Sequence, residues 1–354
     1  MTLWLNTPLT DLLGIDLPIV LGAFGGASSV ELTALVSERG GLGSYGLYGY
    51  DGDRIAETAA QLTSATTKPF ALNLWLPFDG DHEVRTTEPE FDRYAAALEP
   101  YFAELGLPLP GRPDHYLPAF DEQLDAVLEA RPAALSFVYG VPTAGVLDRL
   151  KSADIVTIGT ATTLDEAIAL DASGIDAIVA TGMEAGGHRV SFLRPPEDSL
   201  VGTMALVPQV VDAVRVPVVA AGGIADGRGI AAALTLGAAG AQIGSAFLAT
   251  DQSGAAPAHR AALRARPDRT VLTRAPSGRL ARGIPNRLTE EVTSIAPFPV
   301  QNWITGRFRA VAGERGMSQL MSLWAGQAAP LIRHTDAHLL LDALVDEASA
   351  LLDR

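Results

Sequence analysis

The sequence predicts an α/β fold, a (β/α)8 TIM barrel with a smaller, mainly helical second domain. Three observations carry this. Eight short apolar runs alternate with amphipathic helical stretches up to residue 252, the pattern of a parallel sheet covered by helices. Several runs end in glycine-rich turns, and a barrel gathers its functional loops at such strand ends. Beyond residue 252 the rhythm stops in a polar segment rich in Arg. The rival fold, a dinucleotide-binding open sheet, needs G-x-G-x-x-G after the first strand; Gly22-Ala23-Phe24-Gly25-Gly26 does not match.

In chain order, Pro18 to Leu21 reads as the first strand. Ser28 or Ser29 caps a helix to about Arg39, which Gly40-Gly41 stops. Leu42 to Tyr45 is the second strand, and Asp51 or Asp53 caps the helix to Ser64. Pro69 to Trp75 is the third. Residues 77–118 are proline-rich and charged, and read as an excursion over the barrel mouth with one helix over 90–104. Phe120 to Ala130 has apolar residues at helical spacing. Strand four is 133–138, a helix spans 142–150, and strand five is 154–158. Thr163 with Glu166 reads as a capping box for the helix to Ala172. Strand six, 175–180, leads into Gly182-Met183-Glu184-Ala185-Gly186-Gly187-His188-Arg189. A helix over 203–214, strand seven over 217–221, a helix over 226–236 and strand eight over 240–243 complete the barrel. Residues 253–318 form the small domain that covers the substrate. Residues 319–354 return to helix and complete the barrel domain begun by 1–252.

Composition excludes several function classes. Lys+Arg 26 against Asp+Glu 41 gives a net charge of −15, which argues against nucleic-acid binding. An anionic substrate therefore needs locally placed cations. Cysteine is absent, so thiolate nucleophiles and Cys-ligated metals are excluded. No basic n-region with an apolar h-region begins the chain, and no apolar run is long enough to span a membrane. The expected compartment is the cytoplasm, the expected partners are small molecules, and a homodimer is compatible with the sequence.

The chemistry is expected at the C-terminal strand ends, which collect Phe24, Ser44, Asn73, Tyr139, Thr160, Thr181 to His188, Gly222-Gly223 and Gly244-Ser245. His188, on its glycine turn, is a proton carrier or a turn residue bonded to nearby backbone. Gly222, Gly223, Gly244 and Ser245 are candidates to cradle a phosphate on backbone N–H groups, or are tight turns alone. Asn73 and Gln242 are either contacts for a flat heterocycle or satisfied core amides. Glu184 is expected to stabilise the turn, whereas Arg189 and Arg194 are surface charges or partners of an anion. His82, His115, His259, His334 and His338 are expected in solvated positions. No G-x-S-x-G or H-E-x-x-H occurs, so a serine hydrolase and a histidine-held metal are unsupported.

These residues resemble the nitronate monooxygenase (formerly 2-nitropropane dioxygenase) family of FMN-dependent TIM-barrel enzymes. The carriers are Leu17-Pro18-Ile19-Val20, Gly40 to Ser44, Phe70 to Leu74, Leu135 to Phe137, Gly182 to His188, Val218 to Ile224 and Gln242 to Leu248. Glu184-Ala185-Gly186-Gly187-His188 is the most specific of them. The resemblance implies oxidation of alkyl nitronates with O2 to a carbonyl compound and nitrite, with FMN as cofactor and His188 as catalytic base. It also implies an FMN phosphate site at Gly222, Gly223, Gly244 and Ser245. Flavin contacts are implied at Gly22, Ala23, Phe24, Asn73, Thr181, Gly186, Gly187 and Gln242. The chain departs from the family pattern at Leu21, Phe24, Thr181, Val190 and Phe298. Phe298, Trp303 and Trp324 are candidates to line the substrate pocket. The alternatives are an NAD(P)H-dependent flavin reductase on the same barrel, a related flavin oxidase of specialised metabolism, or a flavin-binding sensor.

Overall fold

A computed structural model describes residues 3–77 and 86–353 of the protein; His82 and part of the 77–118 excursion lie outside them. The strands are β1 Ile19–Leu21, β2 Gly43–Gly46, β3 Phe70–Trp75, β4 Ala134–Val138, β5 Val156–Ala161 and β6 Ala177–Thr181. They continue with β7 Gly187–His188, β8 Val218–Ala221, β9 Gly240–Ile243, β10 Val271–Thr273 and β11 Ala281–Gly283. Eight of these form one parallel sheet in the order β1-β9-β8-β6-β5-β4-β3-β2. Leu42 closes it. Its N–H donates to the Ile19 carbonyl and its carbonyl accepts from Leu21 N–H, each at 2.9 Å. The sheet is a closed barrel.

Residue parity along the strands separates two layers of core. Val20, Ala71, Ala134, Ile158, Val179 and Val219 cluster with Leu9 and Leu13 of the helix Pro8–Leu13, which plugs the bottom. Alternating with them, Ile19, Leu21, Leu72, Leu74, Phe137, Ile178 and Ile243 pack under the outer helices. Two positions further along the inward parity the side chains turn polar: Ser44, Asn73, Ser136, Thr160 and Thr181. The barrel is apolar below and hydrophilic at its C-terminal mouth.

The helix caps follow local chemistry. Ser29 Oγ accepts from Leu32 N–H at 3.0 Å, and Asp51 caps Gly52–Ala65. Thr163 caps Leu164–Ser173, but the capping box is only half formed. The Glu166 carboxylate turns inward, where it is fully buried. It accepts from Thr162 N–H and Oγ1, both at 2.7 Å, from Phe192 N–H at 2.6 Å and from Leu193 N–H at 3.2 Å.

Two expectations are corrected. The helix over 90–104 is two helices, Glu88–Ala97 and Glu99–Glu104, because Pro100 lacks the N–H that would continue the first. Of residues 319–354, only Ala337–Leu352 is a long helix; 321–328 is irregular chain that approaches the barrel mouth at Gly326. That helix buries Leu340, Leu341, Leu344 and Ala348 in the barrel core. A second core joins Phe91, Leu98, Tyr101 and Phe102 to Leu288, Val300, Ile304 and Phe308. Among the described residues, no helix is long and apolar enough to cross a membrane.

Replacing Glu166 by Ala would strand the two buried Thr162 donors and the half-buried Phe192 amide. The expected loss is about 3 kcal/mol or more of unfolding free energy, with Glu166→Gln milder. Urea denaturation of both variants checks this; an Ala variant as stable as wild type would show that water replaces the carboxylate.

Candidate active site at the barrel mouth

Beyond β6 the chain makes a loop held by a carboxylate and two guanidiniums. The Glu184 carboxylate accepts from Thr203 N–H at 3.0 Å and from Thr203 Oγ1 at 2.9 Å, so it caps the helix Thr203–Ala213. Arg189 is no surface charge. It is 2% exposed and donates to the carbonyls of Gly182 (2.7 Å), Thr181 (3.2 Å) and Ser199 (3.3 Å). Burial lowers its pKa to about 10, still cationic at neutral pH. Arg282 Nε donates to Met183 O at 2.9 Å. Arg194 is exposed and pairs with Asp165.

His188 is carried by β7, which pairs antiparallel with β11 so that His188 stands opposite Ala281. It therefore sits in a three-stranded sheet of β10, β11 and β7 rather than in a free turn. Its Nε2 lies 2.8 Å from Ser277 Oγ. The ring lies 5.2 Å from the Trp75 ring, edge-on, and 5.3 Å from the Trp324 ring. Trp75 in turn meets Tyr48 (4.3 Å), Tyr139 (4.9 Å) and Phe298 (5.9 Å). The enclosing side chains desolvate the imidazole, and the Arg309 charge adds to this, lowering its pKa to about 3. His188 is neutral at pH 7.

Two guanidiniums stand around this aromatic set. Arg279 lies 3.9 Å from the Tyr139 ring centroid and 4.1 Å from that of Phe298. Arg309 donates to Asn302 Oδ1 at 2.6 Å, and Asn302 Nδ2 donates to the Tyr48 hydroxyl at 2.8 Å. Burial lowers the pKa of Arg279 to about 9 and that of Arg309 to about 10, so both stay charged. Burial pushes the Tyr48 phenol up to about 12. A cleft lined by Tyr48, Trp75, Leu76, Leu117, Phe120 and Phe298 opens beside them.

The paired glycine turns adjoin each other, since β8 and β9 are neighbours with Ala221 opposite Gln242. Gly222 and Gly223 have φ of 97° and 73°, a left-handed backbone that side chains resist. Among the described residues, none accepts from the amides of Gly222, Gly223, Gly244 and Ser245. A Cβ on Gly223 would meet nothing closer than 3.5 Å, and one on Gly244 nothing closer than 3.8 Å. Open space and unspent N–H groups therefore coincide, as an anion requires. Ser245 Oγ accepts from Gly326 N–H at 2.8 Å.

The remaining sequence candidates divide. Asn73 is buried and donates to Ser136 O (3.2 Å) and Oγ (2.9 Å). Gln242 and Thr181 stand at the mouth on β9 and β6. Gly22 and the Phe24 ring lie against Gly244, with Ala23 between them in sequence. Gly186 touches the backbone of Ala325 and Gly326, so close packing alone excludes a side chain there. Gly187 pairs with Arg282. Phe298 and Trp324 join the rings around His188, but Trp303 does not. Its neighbours are Phe91, Tyr116 and Arg307, because its helix turns that side to the second core. His259 is buried, not solvated, and its Nε2 donates to Trp324 O at 2.9 Å. Sequence reasoning missed Tyr48, Trp75, Ser277, Arg279 and Arg309. An aromatic residue two positions after Asn73 was a usable signal for Trp75. The others carry none, since their proximity to His188 comes from folding alone.

A closed (β/α)8 barrel with its polar groups at the C-terminal mouth defines a barrel enzyme whose chemistry lies there. The chain belongs to the nitronate monooxygenase family, whose profile matches residues 6–347. It is 39% identical to a probable nitronate monooxygenase of Staphylococcus haemolyticus over 99% of each chain. Among solved structures it is similar to the nitroalkane oxidase of Streptomyces ansochromogenes, with TM-score 0.86, 38% identity and coverage of 98% and 99%. FabK from Thermotoga maritima follows with TM-score 0.76, 27% identity and coverage of 98% and 97%. The protein is thus an oxidoreductase of the monooxygenase type.

Because the folded protein holds His188 at about 3 against ~6.5 for a free imidazole, the unfolded chain takes up the proton first as pH falls. Stability is expected to decline between those two values, and His188→Asn to flatten the decline. Urea midpoints from pH 7.5 to 4 test this; an unchanged slope in the variant would mean that His188 titrates normally.

Proposed function

We propose that the protein oxidises alkyl nitronates, or acidic nitroalkanes, with O2 to a carbonyl compound and nitrite, using FMN, with His188 as the catalytic base. Family membership supports the reaction class, and flavin dependence is general in that family. The observation that carries the substrate reading is local charge. A chain of net charge −15 gathers the Arg279 and Arg309 guanidiniums around a neutral histidine. Such a site favours a small anion over a neutral molecule.

The residues at the mouth fit FMN. Gly222, Gly223, Gly244 and Ser245 would hold its phosphate. Asn73, Thr181 and Gln242 would face the ring system, and Gly22, Ala23, Phe24, Gly186 and Gly187 would border it. When bound, the flavin supplies the electron acceptor. The chain's own residues do the rest. Arg279 and Arg309 attract and orient the nitronate. When a neutral nitroalkane gives up its α-proton beside His188, the nitronate left behind is an anion that raises the imidazole's pKa, so the imidazole holds that proton. The apolar cleft beside Trp75 and Phe298 accepts the alkyl substituent and excludes water. The 253–318 segment supplies Ser277, Arg279 and Phe298 to the site, consistent with a substrate-covering role.

Nitrite release from a panel of nitronates tests the reading, with neutral nitroalkanes alongside. His188→Asn is expected to retain flavin and to lose about 10²–10⁴-fold in kcat/KM on neutral nitroalkanes, with a smaller loss on preformed nitronates. Full activity on both would remove His188 from the mechanism. Rapid flavin bleaching by NAD(P)H without O2, and no nitrite, would favour the reductase instead.

Gly223→Val tests the phosphate turn. A branched side chain there is strained at φ 73° and intrudes on the open space, so the purified variant is expected to lose most of its yellow colour while the barrel still folds. Flavin absorbance per protein reads this directly, and an unchanged ratio would move the phosphate elsewhere.

A further inference from the structure

We propose that Ser277 is a positioning residue that fixes the tautomer of His188, leaving Nδ1 as the nitrogen that takes the proton. This rests on the reading of His188 as base. The argument is one of hydrogen-bond inventory. Ser277 is fully buried, and its Oγ has three neighbours. They are His188 Nε2 at 2.8 Å, the Arg279 carbonyl at 3.2 Å and the Arg279 N–H at 3.3 Å. A hydroxyl has one proton to give and two lone pairs. The Arg279 carbonyl can only accept and the Arg279 amide can only donate. All three contacts are satisfied in one arrangement alone. Ser277 O–H donates to the Arg279 carbonyl, while Oγ accepts from Arg279 N–H and from His188 Nε2–H. In the opposite tautomer the single hydroxyl proton would face two acceptors, His188 Nε2 and the Arg279 carbonyl, and could serve only one of them.

The loop that carries Ser277 is itself anchored. Ser277 N–H donates to Arg274 O at 3.2 Å, and Gln301 Nε2 donates to Ala275 O at 2.7 Å. Thr305 Oγ1 donates to the Pro276 carbonyl. The helix Val300–Glu314 thus holds the serine, and the serine holds the imidazole edge-on to Trp75. Among the described residues, none bonds His188 Nδ1. With Nε2 protonated, the Nδ1 lone pair is the site left to accept a proton. Ser277 acts through His188 and needs no contact with the substrate.

The test is ¹⁵N NMR of the flavin-loaded protein labelled at histidine nitrogens, with His188→Asn assigning the resonance. At pH 7.5 the wild type is expected to show a protonated Nε2 and a bare Nδ1. In Ser277→Ala the two tautomers are expected to mix. Its kcat on neutral nitroalkanes is expected to fall about tenfold, the scale of one lost neutral hydrogen bond, with flavin content unchanged. Ser277→Thr, which keeps the hydroxyl, is expected to restore both. A protonated Nδ1 in the wild type, or an unmixed Nε2–H tautomer in Ser277→Ala, would overturn the proposal; the wild-type spectrum decides alone if the alanine variant fails to fold. Nitrite formation with the wrong tautomer would sink this inference and spare the function. The expected tautomer without nitrite formation would do the reverse.

Discussion

The pairing of β7 with β11 is the contact on which the barrel mouth depends. Gly187 and His188 lie on a strand of two residues, too short to hold its shape alone. It is held because Ala281 and Arg282 stand opposite and because Arg189 N–H donates to Leu280 O at 2.8 Å. On the barrel side, the buried Arg189 clamps the loop through three carbonyls, and Glu166 grips Phe192 and Leu193. The histidine is thus fixed between a rigid barrel and a hairpin that follows it by some ninety residues. A site pinned from both sides keeps its geometry without a ligand, which is the condition for preorganised chemistry.

Electrostatics depends on the same enclosure. The aromatic side chains around His188 remove water, and removal of water disfavours every charge within. The imidazole responds by staying neutral. The guanidiniums cannot, because their pKa values start too high; even lowered to about 9 and about 10, Arg279 and Arg309 remain cations. One enclosure therefore yields a neutral proton acceptor beside fixed positive charge, in a protein whose overall charge is strongly negative. The cation–π contacts of Arg279 with Tyr139 and Phe298 replace part of the lost hydration.

The barrel and its mouth were largely legible in the sequence. Strand runs such as Phe70 to Trp75 and caps such as Asp226 follow from local periodicity and side-chain chemistry, which act over a few residues. The glycines at 222 and 223 announced a turn, and the structure gives them the left-handed backbone that only glycine adopts freely. The Glu184-to-His188 element was legible because strand, turn and titratable residue lie next to one another. Its glutamate does what its place in a turn suggested, capping the helix that begins at Thr203.

What the tertiary structure alone decided is which distant residues meet that element. Ser277, Arg279, Arg309 and Tyr48 carry no local pattern that ties them to His188, because strand pairing and ring packing join positions by distance in space and not by spacing in the chain. For the same reason Trp303, as aromatic as Trp324 and much nearer Phe298 in sequence, went to the second core. Glu166, spaced for a capping box, instead turned its carboxylate to Thr162, Phe192 and Leu193. Local propensity determined the elements and the motif; competition among long-range contacts, which no window of sequence contains, determined the environment in which the histidine works.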